Sequence, residues 1–253
     1  MSDIFESPKR LIAWADQNIR NLKGKTAFFF ENEPCDILVE SHPEKIGWKI
    51  VKARLKKPLP EYFSEIVADI LDHLRSALDQ TIYSIAALDG NVIPGDVYFP
   101  FGRNETKFLK ALNGRCTGRL TALHPLLIRL KPYKGGNEVL WALNTVRGKQ
   151  HAFLVPAAAE GFINRVELEA ASGDIVLPAA PTWDSAKNEI ELFSIGPETS
   201  MKGNFGTSFH VTFGKVEGVA GEDVGNVLET FFRLVQTIIA EIEAESKRLG
   251  IVK

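Results

Sequence analysis

The chain of 253 residues is 45% hydrophobic and 25% charged, a composition typical of globular proteins and unlike that of disordered segments. Its net charge is −2, and its two cysteines, Cys35 and Cys116, are too few for a disulfide framework and lack the spacing of a thiolate metal site. No stretch approaches the roughly 18 uninterrupted apolar residues of a membrane span. We therefore expect a cytoplasmic protein with no membrane segment, no metal and no cofactor.

The first part of the chain, residues 1–60, predicts one helix followed by strands. Apolar residues recur at helical spacing from Pro8 to Leu22, and Ser7 precedes them as a cap. After this helix the sequence consists of short runs rich in aromatic and β-branched residues. These runs, KTAFFFENE, CDILVES and GWKIVKARL, predict an antiparallel meander.

The second part, residues 61–150, predicts helices. From Glu61 to Leu88 no Gly or Pro interrupts a broad apolar stripe, which makes this the clearest helix of the chain. After a break that contains VYFPFG, shorter helices are predicted in ETKFLKALNG, ALHPLLIRLKPY and NEVLWALNTVRGKQ.

Strands return in residues 151–220, and the chain ends in a helix over residues 221–253. The strand patterns are GFINRVELEAA, DIVLPAA, NEIELFSI and TSFHVTFGK, and the apolar side of the last helix runs from Asp223 to Leu249. We predict a single α+β domain over 1–253, with antiparallel strands from both halves packed against the long helix, the helical middle and the C-terminal helix. The apolar face of that last helix fits a homodimer interface and an intramolecular core equally well.

Basic residues are concentrated between Arg103 and Lys149. Ten basic residues and two acidic residues give this 47-residue segment a net charge of +8. Residues 61–96 carry seven acids and one base, Arg75. Two interpretations remain open: the basic segment binds an anionic partner such as RNA or DNA, or it is neutralised by acids within the fold.

The stretch DHLRSALDQ places charged groups on the long helix. Helical spacing puts Asp72, Arg75 and Asp79 on the face opposite the apolar stripe, with His73 at its other edge. If this face meets the helix that ends near Lys149, Asp79 could orient His151 or pair with Arg147. Arg75, Arg147, Lys149 and His151 would then form an anion-binding site. The alternative is a structural ion-pair network in which Asp72, Arg75 and Asp79 satisfy one another.

The segment ILDHLRSALDQTIYSIA resembles a helix of an uncharacterised family of bacterial and phage proteins. That family has a motif close to N-L-R-S-A-L-D-H, then an F-P loop, then a basic K-H pair before an apolar strand. The matching pieces here are residues 73–80, Tyr98-Phe99-Pro100-Phe101, and Lys149 with His151, over roughly residues 25–160. His73 replaces the family's Asn, Gln80 replaces its His, and Gln150 separates Lys149 from His151. The resemblance implies no activity.

The arrangement Arg-x-x-x-x-His also resembles the signature of the helical HEPN ribonucleases. In that family a dimer brings Arg and His to one RNA site, where His transfers protons and Arg steadies phosphate charge. Gln80, Thr81 and Ile82 stand where Arg75 would need its His. Only Arg119 and His124 satisfy the spacing.

Three functional hypotheses follow. The first is a non-catalytic protein that binds an anionic or nucleic-acid partner through residues 103–149. The second is an RNase-type enzyme with His151 or His124 as general acid/base and Arg75 and Asp79 as candidate catalytic partners. The third is a purely structural or interaction protein. An enzyme needs His and Arg to converge on one cleft, whereas a binding protein needs only a continuous basic surface.

Overall fold

The computed structural model describes residues 3–32, 35–90, 92–93, 95–149, 158–178, 183–184 and 186–252, with the backbone alone at 149, 158–171 and 201–208. The contacts divide the chain into two compact units. Unit 1 comprises Met1–Lys23, Tyr62–Pro156 and Phe213–Lys253, and unit 2 comprises Gly24–Glu61 and Ala157–Thr212. The single domain over 1–253 stays a prediction.

Unit 1 is built from helices, and α2 contacts both α5 and α6. The six helices of the described chain are α1 (Glu6–Asn32), α2 (Tyr62–Ala86), α3 (Glu105–Arg115), α4 (His124–Leu130), α5 (Glu138–Lys149) and α6 (Val224–Arg248). Short 3₁₀ turns follow α2 at Ala87–Asp89 and precede α4 at Gly118–Leu123. No described helix is both long and apolar enough to cross a membrane.

Helix boundaries agree with capping chemistry. The Asn104 side chain accepts a hydrogen bond from the Lys107 N–H at the start of α3, and the Asp223 side chain accepts one from the Asn226 N–H at the start of α6. Lys131 ends α4 in the left-handed conformation, with φ of 48°.

The apolar side of α6 packs within unit 1. Its residues Leu228, Phe231, Val235, Ile238 and Ile242 are buried, and α6 contacts α2 and α5. The intramolecular core therefore accounts for the amphipathic pattern of this helix.

Helix α1 corrects one prediction. The run KTAFFFENE was expected to be a strand, but the helix continues through it to Asn32. Phe29 is buried, and the Phe30 ring stacks on the Phe209 ring with centroids 5.7 Å apart. These contacts with distant residues outweigh the strand propensity of the aromatic run.

Unit 2 contains two antiparallel sheets. In the first, strands lie in the order β1 (Cys35–Ser41), β2 (Lys49–Leu55), β6 (Glu189–Ile195) and β4 (Ile175–Val176), and β5 (Trp183–Asp184) also pairs with β6. The second sheet pairs β3 (Ala158–Ser172) with β7 (Ser200–Thr212). A small core on the first sheet contains Val51, Ala53, Ile190, Leu192 and Phe193. The α+β class, with antiparallel strands from both halves of the chain, is confirmed.

Candidate functional site

An ion pair between Arg75 and Asp79 lies at the centre of the region that contains most of the predicted site residues. The two side chains are one turn apart on α2, and the Arg75 Nη1 donates to Asp79 Oδ1. Arg75 is only 7% exposed. The face opposite the apolar stripe was expected to be polar, but other elements cover it at this position.

The loop of residues 97–101 provides one part of this cover. Asp79 Oδ1 accepts a hydrogen bond from the Phe99 N–H at 2.9 Å, and Arg75 Nη2 lies 3.5 Å from the Phe99 carbonyl oxygen. The Arg75 guanidinium lies over the Phe101 ring, 4.4 Å from its centroid. The ion pair therefore holds both backbone polar groups of one loop residue.

Helix α5 provides the second part. Arg75 Nε donates to Asn144 Oδ1 at 3.3 Å, and Arg147 Nε donates to Asp72 Oδ1 at 2.9 Å. The expected meeting of the two helix faces therefore occurs, but Arg147 pairs with Asp72, and Asp79 pairs with Arg75. Asn144 and Phe101 were not foreseen, because only their contacts across elements connect them to this site.

Burial shapes the ionisation of the central pair. It lowers the pKa of the Arg75 guanidinium and raises the pKa of the Asp79 carboxyl, and in each case the partner's opposite charge acts against the shift. Because a buried charge without its partner is costly, each residue depends on the other.

The remaining residues of the predicted site lie partly outside the described structure. His151 is outside the described residues, and so is the side chain of Lys149. The orientation of His151 by Asp79, and the anion site of Arg75, Arg147, Lys149 and His151, stay predictions.

The Arg119 and His124 pair, which satisfies the HEPN spacing, makes separate contacts. Arg119 binds Asp89 through its backbone N–H and through Nε, at 2.9 Å and 2.8 Å. His124 Nε2 lies 2.7 Å from the Cys116 carbonyl oxygen. The described geometry shows no contact that links the two side chains to each other, and the catalytic hypothesis stays a prediction.

Three exposed cations lie at the N-terminal part of α3, two on the helix itself and one just before its cap residue. Lys107 and Lys110 are three residues apart, which places them on one face of the helix, and Arg103 lies just before the cap residue Asn104. The buried side chains of α3, Phe108 and Leu112, lie on its opposite side. We call these three cations the α3 basic face.

Among the described residues, no acid forms an ion pair with the α3 basic face. Within the described part of the chain, none of its three side chains forms an ion pair or a hydrogen bond. The acid nearest in sequence, Glu105, instead hydrogen-bonds Tyr133. Charge counting had included these cations in the basic segment, and their spacing was the signal that could have singled them out.

Four other bases of the segment have acidic partners within the fold. Arg119 pairs with Asp89, Arg129 with Glu241, Lys134 with Glu217 and Arg147 with Asp72. The Arg115 guanidinium lies 3.9 Å from the centroid of the Tyr98 ring. Of the two interpretations of the +8 segment, neutralisation therefore applies to the four bases that pair with acids. Among the described residues, the α3 basic face and the exposed Lys131 have no such ion pair.

Four cavities lined by described residues lie away from both clusters. The largest of these four, of about 640 Å³, is lined by Phe5, Lys9, Leu88, Arg119 and Lys247 among others. Its bases Lys9, Lys247 and Arg119 are paired with acids. Among the described residues, no group of three or more His, Cys, Asp or Glu side chains is placed to hold a metal.

The fold and this site define an α+β protein with a buried Arg–Asp pair beneath a loop and an exposed basic helix face. No protein-family model, no curated protein and no solved structure matches the chain.

Proposed function

We propose that this protein binds nucleic acid, without catalysis, through the α3 basic face. The observation that carries the proposal is the exposure of Arg103, Lys107 and Lys110, close together in the chain, which have no acidic partner in the described structure. Cations that are already paired must exchange one partner for another when they bind phosphate. Unpaired cations release only the counterions that surround the phosphates.

The geometry of the face supports a repeating anion over a single one. With a helical rise of about 1.5 Å per residue, Lys107 and Lys110 are separated by about 4.5 Å along the α3 axis, and Arg103 lies beyond the N-terminal end. The three positions are therefore spread along the direction of α3. Cations spread in this way suit the successive phosphates of a nucleic-acid strand.

The buried Arg75–Asp79 pair has a supporting role in this proposal. Its donors and acceptors are occupied by the loop of residues 97–101 and by Asn144, so a phosphate could reach Arg75 only if that loop moved. We therefore place Arg75 and Asp79 outside the contact surface.

The test is the binding of a fluorescent oligonucleotide, followed by anisotropy at several salt concentrations. If all three cations contact phosphates, affinity should fall about 40-fold for duplex DNA, and about 20-fold for a single strand, between about 50 and 200 mM salt. Measuring single-stranded RNA beside duplex DNA also shows which form is preferred.

The decisive comparison uses two triple variants with equal loss of charge. Arg103→Gln/Lys107→Gln/Lys110→Gln removes the α3 basic face, and Arg119→Gln/Arg129→Gln/Lys134→Gln removes three paired bases of the same segment. We expect the first variant to lose most of the binding and most of its salt dependence, and the second to retain both. Equal losses would mean that net charge alone drives binding, and absence of binding by the wild type at low salt would exclude the proposal.

A further inference from the structure

Strand β1 lies at an edge of the first sheet of unit 2. In the described structure it pairs with β2 along its whole length, Cys35 to Leu55 through Ser41 to Lys49, and with no other strand. An edge strand presents backbone N–H and C=O groups that can pair with another chain.

Apolar side chains of β1 continue the apolar face of the sheet but are exposed to solvent. Ile37 lies opposite Ala53 and Val39 lies opposite Val51, so both point to the side that carries the small core of unit 2. Yet Ile37 is 51% exposed and Val39 is 57% exposed, whereas Ala53 and Val51 are buried. Two β-branched side chains of β1 therefore stay exposed on the side of the sheet that carries the core.

This edge lacks most of the devices that commonly prevent strand pairing. Proteins protect sheet edges with charged side chains, above all lysine, and with proline, bulges or very short strands. Of these, β1 has only the charges of Asp36 and Glu40. The seven residues of β1, CDILVES, contain no lysine, proline or glycine, and the register between β1 and β2 is continuous.

We propose that β1 pairs antiparallel with β1 of a second copy of this chain, with Leu38 on the two-fold axis. In this register Ile37 lies opposite Val39 of the second copy, and the two-fold axis repeats the pair. Two cross-strand pairs of β-branched residues then continue the apolar face from one copy to the other. A single seven-residue segment thus supplies both halves of the interface.

The charges on the other face of β1 are compatible with this register. It places Asp36 opposite Glu40 of the second copy, and like charges in that position destabilise a sheet. Each acid, however, already has a basic partner on or directly after β2. Asp36 pairs with Lys56 at 3.2 Å, and Glu40 pairs with Lys52 at 2.8 Å.

The register can be tested by cross-linking at the two-fold axis. Directly opposite residues of antiparallel strands have Cα atoms about 4.5–5.5 Å apart, a distance that a disulfide spans. In a Cys35→Ser background, Leu38→Cys should form a covalent dimer under mild oxidation. The matched control, Ser41→Cys in the same background, should not, because its two copies would lie about 20 Å apart along the strands.

Sedimentation velocity supplies the second measurement. The wild type should show a concentration-dependent dimer, and Ile37→Lys/Val39→Lys should be monomeric with unchanged far-UV circular dichroism, since both side chains are exposed in the monomer. A dimer that survives the lysine variant would overturn the proposal in favour of another surface. The proposal would also be overturned by a wild type that stays monomeric or by equal cross-linking of both cysteine variants. A monomeric wild type would leave the β1 edge open to an extended segment of a different protein.

Discussion

The carboxylate of Asp79 accepts a hydrogen bond from the Phe99 N–H at 2.9 Å, which ties α2 to a loop 20 residues further along the chain. The same carboxylate oxygen accepts from the buried guanidinium of Arg75. One side chain thus satisfies a buried cation and a loop backbone group together. Within the DHLRSALDQ stretch, Arg75 and Asp79 thus form a structural ion pair, whereas Asp72, which the network interpretation had joined to them, pairs with Arg147 on α5.

Removal of the Asp79 carboxylate should destabilise the protein strongly. Asp79→Ala leaves the Arg75 charge and the Phe99 N–H without their acceptor, and we expect a loss of about 2–4 kcal/mol in the free energy of unfolding, measured by urea denaturation. Asp72→Ala is the matched control on the same helix. Its partner is Arg147, and its side chain is 54% exposed, so we expect a loss below about 1 kcal/mol.

A double variant separates the ion pair from the packing around it. Arg75→Met/Asp79→Leu removes both charges and keeps apolar volume, and we expect it to be more stable than Asp79→Ala. If the double variant instead lost as much stability as Arg75→Met and Asp79→Leu lose singly when added together, the two side chains would not act as a pair.

Glu243 should contribute to acid sensitivity. Hydrogen bonds from Lys247 and then from Lys9 lower the pKa of the Glu243 carboxyl below its ordinary value of 4.5. A carboxyl with a lowered pKa stabilises the folded state above its unfolded pKa, and this contribution is lost as the pH falls through the folded pKa. We therefore expect the unfolding free energy of Glu243→Gln to fall less steeply than that of the wild type below about pH 5.

The partners of Glu243 provide a check on the cause. In Lys9→Gln/Lys247→Gln the Glu243 carboxyl loses both hydrogen bonds. We therefore expect the unfolding free energy of this variant, like that of Glu243→Gln, to fall less steeply with acid than that of the wild type. Parallel curves for all three proteins would contradict this assignment.

The two cysteines should differ in reactivity. Burial raises the pKa of the Cys116 thiol to about 12, so almost none of it is thiolate near pH 8. Cys35 is only partly buried. With a thiol-specific chromogenic reagent we expect at most one thiol to react in the folded protein, and both after denaturation. A reactive thiol in folded Cys35→Ser would contradict the burial of Cys116.

Two glycines near the ends of α3 should respond oppositely to alanine. At Gly102 an added Cβ would lie 2.3 Å from the Phe108 N and 2.6 Å from its Cα, so the backbone must shift, and we expect a loss of about 1–3 kcal/mol. At Gly114 nothing lies within 4 Å, and Gly114→Ala should stabilise the helix by about 0.5–1 kcal/mol. The melting temperatures of Gly102→Ala and Gly114→Ala, measured by thermal unfolding, test both expectations. Similar melting temperatures would refute the close contact at Gly102.

The α+β class and most of the helices and strands could be predicted from the amino-acid sequence. The apolar periodicity of residues 61–88 and 223–249 appears as α2 and α6, and the strand pattern NEIELFSI appears as β6. These features depend on residues within a few positions of one another, so a pattern along the chain is enough to reveal them.

Which charged residues are buried or paired became known only from the fold. Arg147 and Asp72, 75 residues apart, form an ion pair, and Arg75 is covered by α5 and by the loop of residues 97–101. The extension of α1 through its aromatic run likewise depends on a contact with Phe209. Burial and charge pairing arise between residues that are distant in sequence, and the spacing of residues along the chain carries no information about such contacts.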